Sequence, residues 1–241
     1  MIPYVVINGI SSKLIKGLLI CKLPPISKPK IRTEIEEIDG RDGDIVTTLG
    51  FSAYDKPLSI GLYGEYDVDD IIEYFSTSGK IVFSNEPDRY YKFAIYNQID
   101  FERLIRFKTA TVNLHVQPFK YSDDETAISY SYADDTTQAS ITVRNSGNYF
   151  SKPTITIKGK GHIELALNNT QLFSISLASA EADETIIINS ADMNAYDIDG
   201  NFMNRSVSGN YDNLKFNAGI NTVTINGDIS EVTISDYSRW I

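Results

Sequence analysis

Apolar side chains recur at every second position in one segment after another of this chain, and turn-forming residues break the segments. A period of two is the pleat of a β-strand, whose successive side chains point to opposite faces. The longest case is Leu104–Phe119. Ala110, Val112, Leu114 and Val116 mark one face there, Thr109, Thr111, Asn113, His115 and Gln117 the other, and Pro118 marks its end. Leu58, Ile60 and Leu62 repeat the pattern in 57–63. The 15 Tyr and 11 Phe, with many Ile, Val and Thr, are residues that suit pleated sheets. The pattern therefore predicts sheets, not a helical bundle.

Further strands are expected at 4–7, 17–23, 31–38, 79–83 and 89–96. Asn8-Gly9 predicts a tight hairpin, because both residues tolerate positive φ. Ile31–Ile38 reads as a half-buried strand. One helix is marked: Asp67 is the N-cap, Asp69 and Asp70 lie near the positive end of the dipole, and Ile71, Ile72 and Phe75 form an apolar face. Gly79 is the expected left-handed terminator, giving about three turns. Residues 121–138 are polar and acidic (Asp123, Asp124, Glu125, Asp134, Asp135) and read as a linker. Beyond them, short strands are expected at 139–144, 153–158, 162–167, 171–177, 184–189, 221–226 and 231–235, a sandwich pattern. Lys158-Gly-Lys-Gly161 reads as a basic turn between two of these strands. Two domains are expected, 1–130 and 131–241.

The 241 residues suffice for sizeable cores without staples. One cysteine, Cys21, rules out an internal disulfide framework. His115 and His162 are far apart and sit in strand-like segments, so metal and nucleophile chemistries lack their usual parts. No apolar run reaches the length of about 18 residues that a membrane helix needs. Met1–Gly9 has no basic lead and only a short apolar stretch, so it does not read as a signal peptide. The net charge is −10, with both halves acidic, which does not fit a phosphate-gripping module.

Two segments look like cation loops. In Asp39-Gly40-Arg41-Asp42-Gly43-Asp44 the third position is Arg41, a positive charge among the would-be ligands, so a charged hairpin or interface turn is the better reading. In Asp197–Asn201, position six is Phe202 and position twelve is Ser208, so a polar loop is favoured. No phosphate-binding loop or nucleophile elbow is present. Tyr237 and Trp240 are the residues a sugar-binding, adhesin-like module would use for stacking.

The order of these pieces resembles the distal tail (Dit) proteins of siphophages and related prophages. The resemblance rests on Ile7-Asn8-Gly9, on Ile38–Asp44 after a strand, and on Pro57–Leu62 leading to a helix. In the second half it rests on Lys152–Ile157, Ile186–Asn189, Asn217–Val223 and Tyr237–Ile241. Relatives often carry Asp where this chain has Asn189. The resemblance implies a mainly β fold: an N-terminal β-barrel-like domain with one helix, and a C-terminal galectin-like β-sandwich. It also implies a homo-hexameric ring in the virion tail tip, assembled in the bacterial host cytoplasm. Partners would be the tail tube protein, the tail-tip (tail-associated) protein, and receptor-binding or baseplate proteins. DNA would be transiting cargo only. No catalysis, cofactor, metal or membrane insertion is implied. The residues after 130 fill a bare sandwich and leave no room for a long receptor-binding arm. True galectins carry a His-x-Asn-x-Arg strand, and His162-Ile-Glu-Leu-Ala166 lacks its Asn and Arg. Asp39, Gly40, Arg41, Asp42, Gly43 and Asp44 are the expected assembly-interface residues.

Overall fold

The computed structural model describes residues 2–123, 126–133 and 137–241. The chain separates into two compact units, Met1–Asp123 (with Ile241) and Asp124–Trp240. Among the described residues no helix is long and apolar enough to cross a membrane.

The first unit contains β1 (Val5–Ile7), β2 (Ile10–Ser11), β3 (Leu18–Lys22), β4 (Ile31–Glu37), β5 (Asp44–Phe51), β6 (Tyr54–Leu62), α1 (Val68–Phe75), β7 (Gly79–Phe83), β8 (Glu86–Ala94), α2 (Phe101–Phe107) and β9 (Thr109–Ser122). Its main sheet is antiparallel, ordered β2-β1-β7-β8-β9-β6-β3, and curls as a half-barrel. The alternation in β9 does what its pattern predicts. Ala110, Val112, Leu114 and Val116 are buried, and they meet Leu58 and Ile60 of β6 and Ile81 of β7 in one core. The Asn8-Gly9 hairpin forms between β1 and β2.

Helix α1 buries Ile71, Tyr74 and Phe75 in that core, and Asp67 caps it by accepting from the Asp69 N–H at 2.9 Å. The Tyr74 hydroxyl donates to the Ile10 carbonyl at 3.0 Å, which ties the helix to the first hairpin. The helix is shorter than expected. It stops at Ser76, whose hydroxyl donates back to the Ile72 carbonyl at 2.6 Å. Gly79 does not terminate it, because that residue already pairs with Phe93 as the start of β7.

The expected strand from Leu104 begins late. Residues 101–107 form a second helix, α2, where only one helix was expected. Asp100 accepts from the Arg103 N–H at 2.8 Å and nucleates the turn, and Lys108 closes it at φ 58°. Strict alternation starts only after that residue, which is where β9 starts.

The second unit contains β10 (Thr126–Ser131), β11 (Gln138–Asn145), β12 (Thr154–Leu167), β13 (Thr170–Ser176), β14 (Glu184–Asn189), β15 (Asn194–Tyr196), β16 (Val207–Gly209) and β17 (Gly219–Asp236). The expected linker is in part a strand, since β10 pairs with the last third of β17. Asp124, Glu125, Asp134 and Asp135 of that linker lie outside the described residues.

Two expected strand pairs are each one bent strand. The segments 153–158 and 162–167 are both in β12, and 221–226 and 231–235 are both in β17. Lys158–Gly161 is therefore a bulged bend within a strand, with register shifts on either side, and not a turn. The bend lets β12 and β17 serve two layers, as corner strands of sandwiches do. Their outer parts pair with β14 and β10, and their inner parts with β13 and β11. Gly227 sits at this corner with φ 130°, and a Cβ there would lie 2.6 Å from the His162 carbonyl oxygen, so only glycine fits. Ile155, Ile157, Ile188 and Val232 of one layer meet Ile141, Leu165, Phe173 and Ile225 of the other in one buried cluster.

Candidate assembly surface

Among the described residues, strands β4 and β5 pair only with each other, in a two-stranded sheet apart from the main one. This hairpin is an arm. Every residue of β4 is exposed, which corrects the expectation of a half-buried strand. Ile35 and Val46 lie directly opposite each other and are 59% and 57% exposed. Ile31, Ile38 and Leu49 are also exposed. A lone two-stranded hairpin is marginal in water. An arm that also shows this much aliphatic surface has the character of a surface meant to be covered.

Asp39, Gly40, Arg41, Asp42, Gly43 and Asp44 lie at the arm's tip, with Asp44 opening β5, and all are exposed. Gly40 and Gly43 hold φ of 82° and 76°, and the Arg41 N–H donates to the Ile38 carbonyl at 3.1 Å, so the glycines shape the turn. The arm carries Glu34, Glu36, Glu37, Asp39, Asp42 and Asp44 against Arg32 and Arg41. Among the described residues none of these carboxylates has an ion-pair partner within the subunit.

The root of the arm is held firmly. The Ser52 N–H donates to the Lys30 carbonyl at 2.8 Å, and Phe51 meets Phe119 edge-on at 5.5 Å. Lys56, 3% exposed, donates from Nζ to the Pro25 carbonyl at 2.7 Å and anchors the segment that enters the arm. Its ammonium faces the rings of Tyr91 and Tyr54 at 5.0 and 5.4 Å. Behind it, Lys120 and Glu86 form a buried ion pair at 2.7 Å. Burial pulls the Lys56 amine down to about 8; Glu86 opposes the shift and Lys120 adds to it. Burial also raises the Tyr54 and Tyr91 phenols. The arm thus projects, bare, from a rigid base.

No family model matches the sequence, and no curated protein sequence matches it. Solved structures do match. The Dit (gp 19.1) protein of phage SPP1, described as a paradigm of the hub adsorption apparatus in phages infecting Gram-positive bacteria, superposes with a TM-score of 0.69 at 18% identity, over 100% of both chains. A chain of the phage P2 baseplate in its activated, Ca-bound conformation matches at 0.52 and 9%, over 98% of both chains. The chain has the Dit fold.

Elsewhere on this Dit fold, the other sequence candidates have local explanations. The Asp197 carboxylate accepts from the N–H groups of Asp199 and Asn201 at 2.9 and 2.8 Å and from the Asn201 side chain at 2.8 Å. Those bonds, the Asn201 side chain first, hold its carboxyl below the usual range. Its oxygens are occupied in shaping a polar loop. His115 Nδ1 lies 2.7 Å from Asp55 Oδ1 in the first unit, and exposed His162 lies 4.0 Å from Glu164 in the second. Tyr237 and Trp240 are half-buried. The Asp39–Asp44 segment marked in the sequence forms the tip of the arm, and the exposed Ile35 and Val46 of its shaft were not marked there. Ile35 and Val46 flank the Asp-Gly turn nearly symmetrically, a signal that marks a hairpin without showing that it stands free.

Proposed function

We propose that this chain is a structural, non-catalytic subunit of a phage tail tip, whose copies close into a hexameric ring that joins the tail tube to the tail-tip protein. The observation that carries this reading is the end-to-end correspondence of both units with the SPP1 Dit protein, which that structure's description places in a hub adsorption apparatus. The bare arm supports it, since an exposed apolar hairpin needs a partner from outside its own subunit. Baseplate or receptor-binding proteins are the further partners of such a ring, and the virion tail tip is its location, after assembly in the bacterial host cytoplasm.

DNA passes through the ring without being bound. The net charge of −10 supports this, because an acidic wall repels a phosphate backbone. Negative-stain images and native mass spectrometry of the purified chain test the ring: sixfold particles with a central hole are expected. A chain that stays monomeric at high concentration, alone and with tail tube protein, defeats the reading. A ring whose lumen is lined by Lys and Arg defeats the passage claim alone.

A further inference from the structure

Five peptide steps in this chain join Asn or Asp to Gly: Asn8-Gly9, Asp39-Gly40, Asp42-Gly43, Asp199-Gly200 and Asn226-Gly227. Such a step carries the parts for a reaction with itself. Glycine has no Cβ to hinder its nitrogen, so that nitrogen can attack the side-chain carbonyl carbon of the residue before it and close a succinimide ring. In a free chain the two Asn-Gly steps react fastest, because an amide is a better electrophile than an ionised carboxylate.

The fold changes that order. The Asn8 amide is tied at both ends: Oδ1 accepts from the Lys80 N–H at 2.9 Å, and Nδ2 donates to the Ser78 carbonyl at 3.0 Å and the Thr77 hydroxyl at 3.2 Å. Asn226 lies within β17, and its Oδ1 accepts from Gln138 Nε2 at 3.0 Å. The Gly227 N–H donates to the Thr137 carbonyl at 2.9 Å. In Asp199-Gly200 the Gly200 N–H donates to the Asp197 carbonyl at 3.2 Å. Each of these steps has its electrophile or its nucleophile held by a partner.

The two steps at the tip of the arm have no such restraint. They lie beyond Glu37–Asp44, the last pair of the shaft, where no ladder fixes the backbone. Asp39 and Asp42 are exposed, and among the described residues neither carboxylate accepts a hydrogen bond or pairs with a cation. The Gly40 and Gly43 N–H groups have no acceptor among those residues either. Nothing lies within 4 Å of the place a Cβ would take on either glycine, so the ring has room to close.

We propose that the arm tip is a spontaneous modification site, where Asp39 and Asp42 convert to isoaspartate while the other three steps persist. The glycine nitrogen bonds to the aspartate Cγ, the Cγ–O bond breaks, and the amide proton leaves with the hydroxyl as water. Water then returns to one of the two imide carbonyls. Opening on the Cγ side restores aspartate. Opening on the α side leaves the main chain running through Cβ and Cγ, with the α-carboxylate free. The sum is an isomerisation, with no oxidant or reductant. Charge and mass are kept, and one methylene enters the backbone. At Asp39 it falls inside the turn that the Arg41 N–H closes on the Ile38 carbonyl. The exposed α-carboxylate is then a methyl acceptor for an isoaspartyl methyltransferase, which moves the methyl of S-adenosylmethionine to a carboxylate oxygen and leaves S-adenosylhomocysteine.

The full folded chain and the same chain in urea are incubated warm at neutral pH until the urea sample shows product at all five steps. Peptide mapping with electron-transfer fragmentation assigns isoaspartate and deamidation to each residue. Purified isoaspartyl methyltransferase with labelled S-adenosylmethionine counts the isoaspartate. In the folded chain, the combined product at Asp39 and Asp42 is expected to exceed that at Asn8, Asp199 or Asn226 at least tenfold. In urea the two Asn-Gly steps should lead. Asp39→Glu with Asp42→Glu keeps both charges but needs a larger ring to close, and should remove most of the methyl acceptance of the folded chain.

A folded chain whose tip stays unreacted overturns the proposal. So does product at any of the other three steps that comes within tenfold of the tip, or methyl acceptance that survives the double Glu variant. A tip that also leads in urea overturns it as well, since the order would then belong to the sequence and not to the fold.

Discussion

Two hairpins of this protein look alike on paper and differ in what surrounds them. The hairpin of β12 and β13 alternates at His162–Leu167 and turns at Asn168-Asn169. The hairpin of β4 and β5 alternates in part and turns at Asp39–Asp44. In the first, Ile163, Leu165, Phe173 and Ile175 are buried by the opposite layer of the sandwich. In the second, Ile35 and Val46 face solvent. The difference teaches that alternation specifies a strand and a face, while burial is supplied by a second layer. The first hairpin has that layer within its own chain and the arm does not.

The comparison breaks most visibly at the sandwich. Ile225 in β17 is fully buried where the layers meet. Ile225→Ala is expected to cost about 2–5 kcal/mol, from lost transfer energy plus the cavity left behind. Chemical denaturation followed by circular dichroism measures it. A loss no larger than that of an arm substitution would mean that the buried face stabilises no more than the bare one.

The base of the arm supplies the next largest effect, and it depends on pH. The Lys56 amine is depressed to about 8 in the folded chain, so between that value and its ordinary value near 10.5 the unfolded state binds the extra proton. Stability contributed through this group therefore rises as pH increases from about 8 to about 10. The gain is on the order of 1–3 kcal/mol. Glu86, Lys120, Tyr54 and Tyr91 face the same amine. The raised phenols act oppositely, losing stability above about pH 10, so the window closes there. Lys56→Met should flatten the rise between pH 8 and 10. A variant that keeps the wild-type slope would place its origin elsewhere.

A smaller effect belongs to helix α1. Asp67→Ala removes the carboxylate that accepts from the Asp69 N–H and should cost about 1 kcal/mol. Asp67→Ser should recover most of it. Equal losses in both variants would assign Asp67 a role other than capping.

Features that local chemistry decides were legible in the sequence, and features that a partner layer decides were not. The alternation in β9 and in β11, the cap of α1 and the Asn8-Gly9 turn were legible because local chemistry settles each of them. Helix α2 was not, because a seven-residue helix with only Leu104 buried leaves too short a periodic signal. The bent strands β12 and β17 were read as four, since Gly159, Gly161 and Gly227 look like turn residues when only the partner layers make them corners. Of the candidate surface, the charged tip was legible from its two Asp-Gly pairs. The exposure of Ile35 and Val46 was not, because an aliphatic residue in an alternating strand normally implies a covering layer.

The smallest expected effect on folding is the sharpest test of the contrast. Ile35→Ala and Val46→Ala remove side chains that already face water, so the subunit's stability should change by no more than about 0.5 kcal/mol. Arg41→Ala at the tip should be equally silent in denaturation. If the arm's covering layer is another copy of the chain, all three variants should nevertheless weaken assembly, because the apolar area lost and the arginine at the acidic tip count only when the arm is docked. Native mass spectrometry across a dilution series separates the two quantities in one preparation. Arg41→Ala rings that survive dilution as well as wild type would remove the tip from the interface. Unchanged assembly in the two aliphatic variants would remove the shaft as well, and the arm would then be a bare hairpin whose covering layer is not a second copy of this chain.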